Sequence, residues 1–228
     1  MLKTILLWTL RSAVAFLVGS VVVVGLLRII PPAATPLMVW RLIKAPFTGK
    51  SMLIRHSWAS YDNISTWVPR GVVGGEDGGF MRHSGIDWNA VERAKRVNAA
   101  RVKRGRPPLG ASTITMQTCK NVFLVPWRSM IRKAFEVYFV YLTEALWGKR
   151  RILEVYMNMI EWGDGVYGIE QGARTAFGVS AKDLTRDQAA RLAAIVPNPR
   201  IFSASKPSAY TLRRASWIRG RMGAAIPK

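Results

Sequence analysis

GGEDGGFMRHSGID, Gly74–Asp87, is the stretch on which the reading of this chain turns. An acidic pair, Glu76-Asp77, stands between glycines on both sides. Glycine permits backbone geometries and close approaches that other residues forbid. Two readings stay open from these residues alone. Asp and Gly are common in surface turns. A carboxylate presented by a glycine-rich loop also suits catalysis, where a positioned acid or base must reach a substrate. At the end of the stretch, Asp87 is placed to cap a helix that starts near Trp88 and ends by Gly105–Pro108.

The acids stand out because they are few. The chain has 228 residues with 34 Lys+Arg against 13 Asp+Glu, a net charge of +21. Such a balance implies an anionic partner: nucleic acid, an anionic membrane or a phosphorylated substrate. Basic residues gather in Glu92–Arg106 and again in Ile201–Lys228, which holds no acid. Either run is a solvated face or a surface resting on lipid headgroups, where each Lys or Arg contributes about 1 kcal/mol. The histidines, His56 and His83, lie far apart, and Cys119 is the one cysteine. No metal-ligand spacing and no phosphate-binding G-x-x-x-x-G-K-[ST] loop occurs, and a nucleophilic triad is disfavoured. Carboxylate chemistry remains.

Ser12–Leu27 is uncharged and lies between Arg11 and Arg28; extended to Ile30 it is long enough to span a bilayer as a helix. A retained anchor is favoured over a cleaved signal, because no A-x-A-like site follows before Pro31-Pro32. Pro36–Ile43 (PLMVWRLI), with Trp40 and Arg41, reads as an interfacial segment or as ordinary core. The expected layout is a cytoplasmic tip and anchor over 1–30, a juxtamembrane segment over 31–56 and one domain over 57–228.

That domain is expected to be mainly helical. Ser112 or Thr113 caps a helix through Lys120, Arg128–Leu146 is amphipathic, and Arg151–Met159 is a shorter helix. Thr185 and Gln188 form a capping-box pattern, and that helix ends by Pro197. Short strands are expected near Met52–His56 or Gly71–Val73. Thr113, Gln117 and Lys120 fall within about 60° on a helix advancing about 100° per residue. This polar stripe at a helix start either suits an anion or is a solvated face. Arg128, Arg132 and Glu136 share a second stripe on an otherwise apolar, aromatic helix, either as a surface ion pair or as the lining of a cleft.

Taken in order, five segments resemble the peptidoglycan glycosyltransferases: EDGGFMRHSGID (Glu76–Asp87), GASTITMQTCKN (Gly110–Asn121), RSMIRKAFE (Arg128–Glu136), RILEVYMNMIEWGDGVYGIEQGA (Arg151–Ala173) and RLAAIVPNP (Arg191–Pro199). The first fits the family pattern E-D-x-x-F-x-x-H-x-G-x-D. Met116 departs from the family, which has a glutamine there, and Gln188 stands where glutamate is common. With no transpeptidase segment before Lys228, the chain looks like the monofunctional type.

The resemblance implies a lysozyme-like, mainly α fold with a small membrane-facing lobe, behind one N-terminal transmembrane helix. It implies polymerisation of a lipid-linked disaccharide-pentapeptide (lipid II) onto the growing glycan chain, at the outer face of the bacterial inner membrane. Glu76 is the expected general base and Glu136 the second catalytic carboxylate. Asp77 positions or tunes Glu76. Lys120, Arg128 and Arg132 bind pyrophosphate, and Ser112, Gln117 and Asn121 add hydrogen bonds. His83 is expected to fix its loop, Asn158 to shape the cleft and Glu154 to pair structurally, while Lys133 suits either group. No cofactor is required, with Mg2+ or Mn2+ at the pyrophosphate as the one admissible ion. The expected partners are the membrane and other cell-wall synthesis or division proteins, with no nucleic acid. A glycan-cleaving enzyme on the same scaffold is the alternative. A tethered nucleic-acid binder is a third reading, though aromatics do not interleave with the basic runs.

Overall fold

A computed structural model describes residues 1–48, 52–127 and 129–228. Among them, helices dominate: α1 (Leu2–Leu27), α2 (Pro36–Thr48), α3 (Trp67–Glu76), α4 (Trp88–Lys103), α5 (Ile114–Phe123), α6 (Met130–Leu146), α7 (Lys149–Met159), α8 (Ile169–Phe177), α9 (Arg186–Ile195) and α10 (Ala209–Arg219). The helix starts follow their caps. Asp87 accepts from the Ala90 amide, Thr113 from Met116 and Ser129 from Arg132, while Thr185 and Gln188 form the reciprocal capping box. Each such cap stabilises its helix by about 1 kcal/mol.

A small sheet has strand order β1-β3-β2. Strand β1 (Arg55–His56) runs parallel to β3 (Val166–Tyr167), and β2 (Glu161–Gly163) runs antiparallel to β3. The expected strand near Met52–His56 is therefore present, in its last two residues. The one expected at Gly71–Val73 is not: these residues lie inside α3. Three glycines on one face explain it. A Cβ on Gly74 would stand 2.8 Å from the Arg221 carbonyl oxygen, and one on Gly71 2.9 Å from Met222 Cε. Glycine in a helix costs about 1 kcal/mol relative to alanine. Here that loss is offset because α10 and the turn after it pack directly on the α3 backbone.

Helix α7 runs through the middle of the core. Ile152, Leu153, Val155, Tyr156, Met157 and Met159 are all buried without residual exposure. Burying each large apolar side chain stabilises by roughly 1.5–3 kcal/mol. Asn158 is buried among them and fully bonded. Its amide nitrogen donates to the carbonyls of Ala59 (2.8 Å) and Glu154 (2.9 Å), and its oxygen accepts from the Ala59 amide at 2.8 Å. Asn158 thus clamps the segment before α3 to the core.

Helix α1 is long and apolar enough to cross a membrane, and most of its surface is exposed. It begins at Leu2, ahead of the uncharged stretch, and ends at Leu27, short of Ile30. Its C-terminal half is fastened to the domain. The Trp147 indole donates to the Val24 carbonyl at 2.7 Å, Ser20 Oγ and the Tyr138 hydroxyl are 2.6 Å apart, and Arg151 donates to the Leu27 carbonyl at 3.0 Å. In α2, Val39, Leu42 and Ile43 face outward. Arg41, in the segment that reads as interfacial or as ordinary core, turns inward. It pairs with Glu161 at 2.8 Å and Asp164 at 2.9 Å, and Arg200 completes the cluster on Glu161 at 2.7 Å.

Candidate active site

Glu76 is the last residue of α3, so its side chain emerges where the helix opens into the glycine loop. The carboxylate is 13% exposed, and each oxygen has a partner. Gln117 Nε2 of α5 donates to Oε2 at 3.2 Å, and Arg214 Nη2 of α10 donates to Oε1 at 2.9 Å. Burial raises the Glu76 pKa above the ordinary carboxylate value; the hydrogen bond from Gln117 and the charge of Arg214 oppose that shift, and neighbouring Asp77 adds to it. Gln117 is itself held, since its amide oxygen accepts from the Tyr156 hydroxyl at 3.1 Å.

Asp77 is 7% exposed and makes other contacts. Its carboxylate lies 3.0 Å from His83 Nε2 and accepts from the Ile114 amide at 3.0 Å. It ties the loop to the first residue of α5. Gly85 closes the same loop at φ +91°, a conformation open to glycine, and its carbonyl accepts from Thr113 Oγ1. The loop is therefore a braced element that sets the α3 terminus against the α5 N-terminus.

A cavity of about 440 Å³ opens on this junction, and Glu76, Ser112, Arg82, Arg93 and Arg221 line it. A second cavity of about 300 Å³ lies further along α5, lined by Lys120, Asn121, Arg132 and the apolar Leu37, Leu124 and Trp127. The residues read from sequence thus fall into two groups, with Gln117 between them one turn before Lys120. Glu136 is 3% exposed and serves the second group. Lys133 Nζ reaches its Oε1 at 2.6 Å and Arg132 Nη1 its Oε2 at 3.2 Å. Lys133, which the helical stripe leaves to either side, joins this cluster. The Lys120 pKa falls below the ordinary lysine value through desolvation, opposed by Glu136 and assisted by the charges of Arg132 and Lys133. Arg128 lies outside the described residues.

The residues do not by themselves fit a divalent ion. Both Glu136 oxygens are engaged by cations, and among the described residues no cluster of three or more His, Cys, Asp or Glu exists to hold a metal. Met116 sits in the core at 6% exposure, away from both cavities, so its departure from the family pattern is a packing change. Arg214 is the residue that sequence reading missed. Its signal is its place in the acid-free run Ile201–Lys228, which suits a solvated face or a surface on lipid headgroups equally and singles out no one residue.

Fold and site together define a class: an α-helical enzyme with one membrane-spanning candidate helix, a buried carboxylate in a cleft, and a cation cluster fit for an anionic substrate. Comparison with known proteins narrows the class. The family model described as Transglycosylase matches residues 48–223. The chain is 47% identical over 207 residues to the "Biosynthetic peptidoglycan transglycosylase" of Pseudomonas fluorescens (strain SBW25), covering 91% of this chain and 85% of that one. It is 44% identical over 222 residues to the protein of the same name in Pseudomonas entomophila (strain L48), covering 97% and 92%. This chain belongs to the transglycosylase family, and it is a glycosyltransferase.

Proposed function

We propose that the protein polymerises the glycan strands of peptidoglycan, taking lipid II as substrate and releasing polyprenyl pyrophosphate. The acceptor is the 4-hydroxyl of one unit's terminal sugar, and the donor is the growing chain, α-linked to pyrophosphate. Glu76 takes the proton from the hydroxyl as its oxygen bonds to the donor's anomeric carbon. The bond from that carbon to pyrophosphate breaks on the opposite face, and its electron pair leaves with the pyrophosphate. The centre inverts to a β-1,4 link, and the proton passes from Glu76 to water.

The leaving group needs charge neutralisation more than a proton. In this reading Lys120, Arg132 and Arg128 receive the pyrophosphate. Glu136 orients Arg132 and Lys133, and Ser112 and Asn121 add hydrogen bonds to substrate. No step passes through a metal; under this proposal a divalent ion would be held by the substrate's own phosphate oxygens. The membrane anchor carries the domain on the outer face of the cytoplasmic membrane, where other cell-wall synthesis and division proteins work.

The observation that carries the proposal is the pairing of a buried, held carboxylate at the α3 terminus with a separate cation-lined cavity further along the same α5. A glycan hydrolase has no use for that cavity, since polymerised glycan bears no pyrophosphate. Purified protein in detergent, given lipid II, is expected to form muramidase-sensitive polymer. Release of soluble muropeptides from purified sacculi without any polymerisation would reject the proposal for the hydrolase.

A further inference from the structure

The acid-free C-terminal run delivers one arginine to the interior. Arg214 leaves α10 and reaches Glu76, 138 residues earlier in the chain, at 2.9 Å. Its side chain is 21% exposed, and among the described residues it pairs with no other carboxylate. Its Nε is buried with no hydrogen-bond partner among the described residues. The neighbouring Trp217 ring, with its centroid 6.0 Å from the guanidinium, flanks it.

A tie between helices does not account for this contact. Helix α10 and the turn after it are already joined to α3 at the glycine face, where Ile218 (0% exposed) and Met222 (1% exposed) pack on Gly75 and Gly71. The contact's larger consequence is at the carboxylate. Gln117 takes one oxygen and Arg214 the other, so the plane of the carboxyl group is fixed. Two lone pairs remain for a substrate hydroxyl.

We propose that Arg214 is a positioning residue for glycosyl transfer, holding Glu76 in the orientation and the anionic form in which it accepts the hydroxyl proton. This inference rests on Glu76 being the base. The other groups bearing on Glu76 are Asp77 beside it, Lys120 from α5, the Tyr156 hydroxyl from α7, and Arg221 beyond α10 in the same cavity. Arg214 is the cation in direct contact with it among the described residues, so its loss leaves desolvation and Asp77 opposed chiefly by Gln117 and Lys120. After each transfer, the guanidinium also favours proton release from Glu76 and so resets the base.

The test compares pH–rate profiles on lipid II for wild type, Arg214→Gln, Arg214→Lys and Glu76→Gln. In Arg214→Gln, kcat at neutral pH falls about 10-fold or more, KM stays within about twofold, and the acid limb moves to higher pH. Arg214→Lys keeps the charge and not the fork, so it restores the acid limb and regains only part of kcat. A wild-type acid limb and kcat in folded Arg214→Gln would overturn the inference, as would a loss confined to KM. If Arg214→Gln does not fold, a wild-type kcat in Arg214→Lys overturns it and a reduced kcat at unchanged KM supports it. The inference and its premise fail separately: an active Glu76→Gln removes the base itself, whereas an inactive Glu76→Gln beside a wild-type-like Arg214→Gln removes only this role.

Discussion

Gln117 donates to Glu76 across 3.2 Å, and these two residues lie on different helices, 41 positions apart. The same amide accepts from the fully buried Tyr156 at 3.1 Å, so one side chain satisfies both the carboxylate and a core hydroxyl. Replacing Gln117 with Ala strands the Tyr156 hydroxyl and frees Glu76 to rotate. An unsatisfied buried group costs about 1–3 kcal/mol. The expected result is a lower melting temperature together with a fall in kcat on lipid II of about 10-fold, measured on the same preparation.

Activity is expected to follow a bell-shaped pH profile. Glu76 works deprotonated, and burial raises its pKa, so the acid limb lies above the range of an ordinary exposed glutamate. Lys120 works protonated, and desolvation lowers its pKa, so the alkaline limb lies below that of an ordinary lysine. A rate–pH series checks both limbs. Glu76→Asp, which withdraws the carboxylate from Gln117 and Arg214, is expected to alter the acid limb and leave the alkaline one in place.

Glu136 holds two cations, one of them well exposed, so its removal has two separable effects. Glu136→Ala is expected to destabilise the fold by about 2 kcal/mol, below the usual cost of breaking a buried pair because Lys133 is 42% exposed. It also releases Arg132 and Lys133 from the geometry suited to pyrophosphate, so kcat/KM drops by more than stability alone explains. Glu136→Gln, which keeps the shape, recovers stability better than activity. Denaturant unfolding and steady-state kinetics on both variants make the comparison.

Asn158 is expected to act through the fold. Asn158→Ala removes three hydrogen bonds and leaves the Ala59 amide and carbonyl unpaired in the core. The predicted cost is about 2–4 kcal/mol, read by denaturant unfolding, with KM for lipid II unchanged in the protein that remains folded.

Local signals made much of this legible in the sequence. Asp87, Thr113 and Thr185 cap their helices because a side-chain oxygen meets an amide three residues on, a relation contained in a few residues. The Glu136 stripe is likewise a matter of helical spacing. What stayed hidden depends on distant chain. Helix α3 reads poorly because Gly71, Gly74 and Gly75 weaken it; the approach of α9, α10 and the turn after α10, more than 110 residues later, gives them a reason. Arg41 sits in an apolar stretch, and nothing local reveals Glu161 as its partner. Arg214 looks like any other basic residue until α10 is laid against α3.

Glu76→Gln on lipid II is the most direct measurement of the central claim. The amide keeps the shape and can still bond to Gln117, but it cannot take a proton. The variant should melt as a folded protein and bind substrate, with polymer formation reduced at least about 100-fold. A folded Glu76→Gln protein that makes muramidase-sensitive polymer at the wild-type rate would contradict the account.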